Sequence, residues 1–148
     1  MKNAEKLTVL IVDADAEERE LVKNMLLRNH FRVFEAYNAI RAMELAEAHR
    51  PEIVLMSVQL PDMDGYECCR RIKSFISLKN VRVIMIAEKG GFEISEQAYQ
   101  HGAGDFVTKP VDEDELLQKI ERMARFIKIS NTTKSTMKRM SNGSDTGR

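Results

Sequence analysis

Short apolar runs alternate along the chain with longer segments whose apolar residues recur at helical spacing. Five of these runs are predicted to form β-strands, because each is short and most are nearly continuous in apolar residues, as strands buried in a parallel sheet require. The runs cover residues 7–12, 31–36, 53–56, 81–87 and 105–108. This alternation favours a fold in which helices cross between neighbouring parallel strands.

The first two predicted helices are marked by residues that can cap their N-termini. Asp15 precedes the first helix, with Glu18 three residues on, and Asn38 precedes the second. Such side chains accept hydrogen bonds from the unpaired N–H groups of a first turn. We expect the first helix to end near Asn29 and the second to end before Pro51. Their apolar faces are assigned to Leu21, Val22, Met25 and Leu26, and to Ile40, Met43 and Ala46.

Three more helices are predicted in the second half of the chain. The third begins at Asp64, the fourth covers residues 94–101 and is closed by Gly102, and the last begins at Asp112 with Glu115 three residues on. The apolar stripes assigned to the third and last helices are Tyr66, Cys69, Ile72 and Ile76, and Leu116, Leu117, Ile120, Met123, Ala124 and Ile127.

Five strands alternating with five helices predict an α/β fold with a doubly wound parallel sheet between two helical layers. A length of 148 residues is ordinary for one domain with a sizeable core. We place this domain at residues 6–128. Residues 129–148 are rich in Ser, Thr, Asn and Lys and show no periodicity, so we expect a basic, disordered tail or linker.

Composition and charge argue against several classes of protein but do not indicate a function. The net charge is zero, but the segment from Lys128 onward holds five basic residues against Asp145 alone, which leaves residues 1–127 with 18 basic and 22 acidic residues. An acidic domain of this kind argues against a nucleic-acid partner. No apolar stretch approaches the length of a membrane span. The adjacent Cys68 and Cys69 form no disulfide framework, so we expect a reducing cytoplasm.

Residues whose side chains could bind a ligand or take part in a reaction follow the ends of several predicted strands. Asp13, Ala14 and Asp15 come after the first strand, Ser57 after the third and Lys109 after the last. The carboxyl ends of parallel strands share one edge of a sheet, where doubly wound folds place their sites. Over roughly residues 6–127, through the segments VLIVDADAEE, SVQLPDMDG and DFVTKPVDEDEL, the chain resembles the receiver domain of bacterial two-component response regulators.

The resemblance implies a flavodoxin-like sheet of strand order 2-1-3-4-5 with a phosphoacceptor pocket at its edge. In this family an aspartate at the position of Ser57 accepts a phosphoryl group. A divalent metal is held there by two adjacent acids and by a backbone carbonyl two residues after the acceptor. Here the first acid is Asp13, the second is replaced by Ala14, and the carbonyl is that of Gln59. Since Asp15 is assigned to the helix cap, we expect Mg²⁺ binding to be weak or lost, with Asp13 as the residual candidate ligand.

Two other family positions lie at the ends of the last two strands. Ala87 stands where the family uses a hydroxyl to hold a phosphoryl oxygen, and Lys109 matches the lysine that contacts the phosphate. A partly buried ammonium without an anion is costly. We therefore expect Lys109 to pair with Asp13 first and with Glu88 second. The alternative is a purely structural role in which Lys109 ties the last loop to the first.

Ser57 allows two interpretations. A serine hydroxyl is a far weaker nucleophile than a carboxylate unless a base activates it, and no histidine is suitably placed. Phosphoserine would also lack the high-energy character of an acyl phosphate. The second interpretation is a small polar residue that hydrogen-bonds to the neighbouring backbone. Together with Ala14 and Ala87, Ser57 indicates a degenerate pocket.

These features predict a non-enzymatic signalling module that acts through phosphorylation-independent protein contacts. The expected partner is a kinase, an output protein or a second receiver copy. The resemblance places the partner face on the fourth helix, fifth strand and fifth helix, at Ile94, Phe106, Lys109 and Pro110, and this face could also form a homodimer. The alternative is a conventional phosphorelay response regulator, still controlled by metal or by an engineered or alternative acceptor at Ser57.

Overall fold

The computed structural model describes residues 7–88, 96–97, 100–125 and 127. Its centre is one five-stranded sheet of order β2-β1-β3-β4-β5, in which every neighbouring pair is parallel. The predicted doubly wound, flavodoxin-like sheet is therefore confirmed. The strands are β1 (Thr8–Val12), β2 (Arg32–Ala36), β3 (Ile53–Ser57), β4 (Arg82–Ala87) and β5 (Asp105–Thr108).

Helices follow the strands as the apolar periodicity predicts. They are α1 (Ala16–Arg28), α2 (Ala39–His49), α3 (Gly65–Ser74), a 3₁₀ turn (Ile76–Leu78) and a last helix over residues 113–125. Of the predicted fourth helix, residues 96, 97 and 100 are described and are helical, whereas Ile94 and most of that segment lie outside the described residues. The predicted tail, residues 129–148, also lies outside them. Within the described part of the chain, no helix combines the length and apolar character needed to cross a membrane.

Four helices have side-chain caps at the residues where the sequence predicts that each helix begins. Asp15 accepts hydrogen bonds from the N–H groups of Glu17 and Glu18, and Asn38 accepts one from that of Arg41. The Asp64 and Asp112 carboxylates accept from the N–H groups of Tyr66 and Glu115. Each bond satisfies a first-turn donor that has no partner inside its helix, which is why these residues fix where the helices start.

Helices cover both faces of the sheet. Successive strand residues point to opposite sides, so each strand contributes to two cores. Val9 and Ile11 of β1 pack into the core that contains α1 and the last helix. Leu10 and Val12 pack into the other core, which contains α2 and α3. The architecture is therefore three-layered in the part of the chain that the structure describes.

Three predicted core positions are wrong. Leu21 and Ile40 are 55% and 56% exposed, and Ile76 is 87% exposed. In α1 the buried residues are Val22 and Leu26, and Leu21 lies about 100° around the helix from Val22. Ile40 is displaced in the same way from the buried Ala39 of α2. Ile76 lies beyond the end of α3 at Ser74, in the 3₁₀ turn, where the α-helical period no longer applies.

The two cysteines belong to the core on the α3 side of the sheet, as predicted for Cys69. Burial raises the pKa of the Cys68 thiol to about 12 and that of Cys69 to about 11. Because the thiolate is the reactive species, we expect neither thiol of the native protein to react with Ellman's reagent at about pH 8, while both react after unfolding in urea. Rapid labelling of one native thiol would contradict this placement.

Candidate functional site

The carboxyl ends of β1, β3 and β4 surround a cleft of about 410 Å³. The structure brings together all seven residues that the sequence assigns to the pocket, although they come from four separate parts of the chain. The cleft is lined by Asp13, Ala14, Asp15, Ser57, Val58, Gln59, Ile86, Ala87, Glu88 and Lys109.

Asp13 is the most extensively bonded polar residue of the cleft. It is 4% exposed, and its Oδ1 accepts a hydrogen bond from the Asp15 N–H at 3.0 Å. Its Oδ2 lies 3.0 Å from Lys109 Nζ. Its backbone N–H donates to Ala36, and its carbonyl accepts from Arg19 Nη1 at 2.7 Å. Both carboxylate oxygens of Asp13 therefore already have partners within the protein.

Lys109 supplies the counter-charge for Asp13. Its side chain is 13% exposed, and Glu88 is its more distant anion, with 3.9 Å between Nζ and Oε1. This is the order of partners expected from the sequence. The Lys109 N–H also donates to the Ala87 carbonyl at 2.7 Å. The Lys109–Pro110 peptide bond is cis.

Asp15 is committed to helix α1 rather than to the centre of the cleft. Its Oδ1 accepts from the N–H groups of Glu17 at 3.0 Å and Glu18 at 3.2 Å. Between the two acids, Ala14 is exposed and offers no side-chain ligand. The loop after β1 therefore presents one buried carboxylate with an internal ammonium partner and one carboxylate that caps a helix.

Ser57 ends β3 and is 4% exposed. Its Oγ has no hydrogen-bond partner among the described residues, so the expected bond to the neighbouring backbone is wrong. The reason is local. Ser57 pairs with Ile86 in the β3–β4 ladder, and the next N–H, that of Val58, donates to the Ile86 carbonyl. The Ala14 and Ala87 side chains beside it in the lining are methyl groups, which can neither donate nor accept.

Gly65 allows helix α3 to start directly against the end of β3. Its N–H donates to the Val58 carbonyl at 2.7 Å. A Cβ atom at this position would lie 2.0 Å from the Ser57 carbonyl oxygen and 2.9 Å from its carbonyl carbon. The sequence marks this residue only as a helix start, because nothing local to the DG pair reveals an approach to the backbone of β3.

Asp62 joins the loop after Ser57 to helix α2, and the sequence pattern did not reveal it. Its Oδ1 accepts from the Ala39 N–H at 2.9 Å and its Oδ2 from the Ile40 N–H at 3.0 Å. Desolvation opposes ionisation of this carboxyl, but hydrogen bonds from the backbone N–H groups of Ala39, Ile40 and Asp62 itself outweigh it, so its pKa lies below the usual value. Asn38 and Asp62 thus cap one helix from two directions.

The expected partner face is described only in part. Phe106 is partly buried and packs against the core, and Lys119 Nζ lies 5.2 Å from the centre of its ring. Lys119 also donates to the Phe106 carbonyl and pairs with Asp105 at 3.4 Å. Pro110 is exposed, and Ile94 lies outside the described residues. The sequence did not single out Lys119, whose contacts cross from the last helix to β5.

Comparison with known proteins agrees with this geometry. Residues 9–121 match the family model described as response regulator receiver domain. The chemotaxis protein CheY of Bacillus subtilis (strain 168) is 36% identical over 115 residues, which cover 77% of this chain and 94% of that protein. The response regulator PleD of Caulobacter vibrioides (strain NA1000 / CB15N) is 30% identical over 118 residues, which cover 80% of this chain but only 26% of that longer protein.

A solved structure shares the fold across most of the chain. The crystal structure of a CheY-like response regulator receiver domain protein from Methanospirillum hungatei JF-1 matches with a TM-score of 0.77 at 25% identity. The match covers 84% of this chain and 98% of that one. The sheet order, the cleft at its edge and these matches agree, and the chain belongs to the response regulator receiver domain family.

Proposed function

We propose that this chain is a receiver-fold signalling module that accepts no phosphoryl group at Ser57 and acts through protein contacts. Its partner would be a kinase, an output protein or a second copy of the chain, in the cytoplasm, and it would have no enzymatic activity of its own. The observation that supports the proposal is the pairing of Asp13 with Lys109, an internal ion pair at the place where the family resemblance implies metal and phosphate.

The donor set of the cleft does not fit Mg²⁺. This ion needs near-octahedral oxygen ligands at about 2 Å. Both oxygens of Asp13 are engaged by the Asp15 N–H and by Lys109, and Ala14 adds no ligand. Across the part of the chain that the structure describes, no group of three or more His, Cys, Asp or Glu side chains could hold a metal ion. We therefore assign the metal no part in the action of this module.

The surroundings of Ser57 also disfavour a nucleophilic role. Among the described residues that line the cleft there is no histidine, and the ammonium of Lys109 is held by Asp13. A serine hydroxyl needs an adjacent base to attack a phosphoryl donor. Ala87 provides no hydroxyl to hold a transferred phosphoryl oxygen. The alternative, a conventional regulator that uses Ser57, therefore lacks both the base and the support for the incoming group.

The direct test is incubation of the full chain with acetyl phosphate and Mg²⁺. We expect intact-mass spectrometry to show no gain of about 80 Da, the mass of one phosphoryl group. We also expect melting curves to be independent of Mg²⁺, since a ligand that binds only the native state would raise the melting temperature. A mass gain or a Mg²⁺-dependent melting temperature would refute the proposal.

Two variants that restore the family's residues at the cleft serve as controls for this assay. The triple variant Ala14→Asp, Ser57→Asp, Ala87→Thr is the positive control, and we expect it to gain Mg²⁺-dependent phosphate. Ser57→Asp alone should gain no stable phosphate, because Ala14 still leaves the metal short of a ligand and Ala87 leaves the phosphoryl oxygen without a hydroxyl to hold it. Stable phosphorylation of the single variant would show that the losses at positions 14 and 87 matter less than proposed.

A further inference from the structure

Two exposed apolar side chains lie at the same edge of the sheet as the cleft. Tyr37 is 59% exposed and directly follows Ala36, whose carbonyl accepts from the Asp13 N–H at 3.0 Å. Ile40 is also more than half exposed, and its N–H is held by Asp62 in the loop that follows Ser57. Both side chains offer apolar surface at this edge of the sheet on which a protein partner could pack.

The cleft at this edge is acidic. Its described lining residues include the carboxylates of Asp13, Asp15 and Glu88 and the ammonium of Lys109, so three negative charges and one positive charge leave a net charge of −2. The Glu88 side chain is 76% exposed and lies 3.9 Å from Lys109, and it stands at the mouth of the cleft. A positively charged group entering from solvent is therefore attracted, whereas a phosphate is repelled.

The hydroxyl of Ser57 is the second, independent feature that indicates a ligand. It is buried, lines the cleft and has no hydrogen-bond partner among the described residues. An unpaired buried hydroxyl costs free energy that a ligand with N–H groups would recover. Val58, Ile86 and Ala87 form an apolar wall beside it. The cleft thus combines an acidic mouth, an apolar wall and one unsatisfied polar atom.

These features fit the side chain of arginine or lysine, which has an aliphatic stem and a charged head. We infer that the cleft receives a basic side chain from a protein partner, whose neighbouring apolar residues pack on Tyr37 and Ile40. The inference rests on the proposed function, since it requires a cleft that holds neither a phosphoryl group nor a metal. Both Asp13 oxygens already have hydrogen-bond or ion-pair partners. A guanidinium can still hydrogen-bond to them, because it does not have to coordinate them directly as a metal ion does.

The test uses the isotope-labelled full chain and three short peptides at low salt. The probes are acetyl-Leu-Arg-Leu-amide, its citrulline analogue, which keeps the shape but loses the charge, and its glutamate analogue. We expect the arginine peptide to give saturable amide shifts at Ala14, Ser57, Glu88, Tyr37 and Ile40. The citrulline peptide should bind about tenfold more weakly, because it lacks the positive charge that the acidic cleft attracts. Added salt should weaken the arginine peptide most.

Two variants test whether the arginine peptide binds at the cleft or is attracted only by the acidity of the domain as a whole. Glu88→Gln should weaken binding of the arginine peptide several-fold, whereas Glu47→Gln, which removes an exposed carboxylate of α2 that does not line the cleft, should leave it unchanged. Equal affinity for the arginine and citrulline peptides, equal effects of the two variants, shifts away from the cleft, or tighter binding of inorganic phosphate or Mg²⁺ alone would each overturn the inference. A chain that takes up neither acetyl phosphate nor Mg²⁺ and also ignores the arginine peptide would refute this inference while leaving the proposed function intact.

Discussion

Replacing Gly65 by alanine is expected to cost about 3 kcal/mol or more of unfolding free energy, at the upper end of what overpacking a folded protein costs. The added methyl group would lie 2.0 Å from the Ser57 carbonyl oxygen and 3.0 Å from Val58 Cα. These atoms are backbone, and β3 is held on both sides by β1 and β4, so they have no room to retreat. Alanine favours a helix over glycine by about 1 kcal/mol, so a large loss can come only from the clash.

Gly104→Ala is the matched control for this prediction. A methyl group there would meet Met123 Cε at 2.8 Å, which is the end of a flexible side chain. We expect a loss of less than about 1 kcal/mol, because methionine can change rotamer. Urea unfolding of both variants, followed by circular dichroism, gives the comparison. Equal transition midpoints for the two variants would contradict the close approach of α3 to β3. A Gly65→Ala chain that shows no cooperative transition at all would support that approach most strongly.

The sequence predicted the sheet well because its signal is local to each strand. Residues of β1 and β3 are buried on both faces, so each strand appears as a short run of apolar residues. The pairing of Lys109 with Asp13 was also predictable, since parallel strands bring their carboxyl ends together and a buried ammonium needs an anion. Both inferences need only the position of a residue relative to the end of its strand.

The remaining features depend on contacts between distant segments. Asp62 binds the N–H groups of a helix that begins 23 residues earlier, and no local pattern indicates it. The unpartnered hydroxyl of Ser57 results from two neighbouring methyl groups and from a ladder that uses the nearby backbone. Ile76 was assigned to the core because its spacing continues that of α3, but the extended backbone at Phe75 ends the helix before it. Residue spacing predicts which side chains share a face only within the helix itself, not beyond its last residue.

Removing the ammonium of Lys109 is expected to have the largest effect of any change in the cleft. Lys109→Met keeps the aliphatic stem but leaves the carboxylate of Asp13 buried without its counter-charge. Breaking a buried ion pair in this way costs about 3–5 kcal/mol. The control is Arg41→Met, which breaks the exposed pair with Glu44 and should cost less than about 1 kcal/mol. Urea unfolding at neutral pH measures both.

The double variant Asp13→Asn, Lys109→Met identifies the cause of that destabilisation. If the penalty comes from an unpaired buried charge, the double variant should be more stable than Lys109→Met alone, because an amide in place of the carboxylate removes the charge. Asp13→Asn alone should cost less than Lys109→Met, since Lys109 retains Glu88 at 3.9 Å and is more exposed than Asp13. Simple additivity of the two single changes would mean that the pair is not coupled. The ion pair would then not substitute for the metal and phosphate of the family, and the main support for a phosphorylation-independent module would be lost.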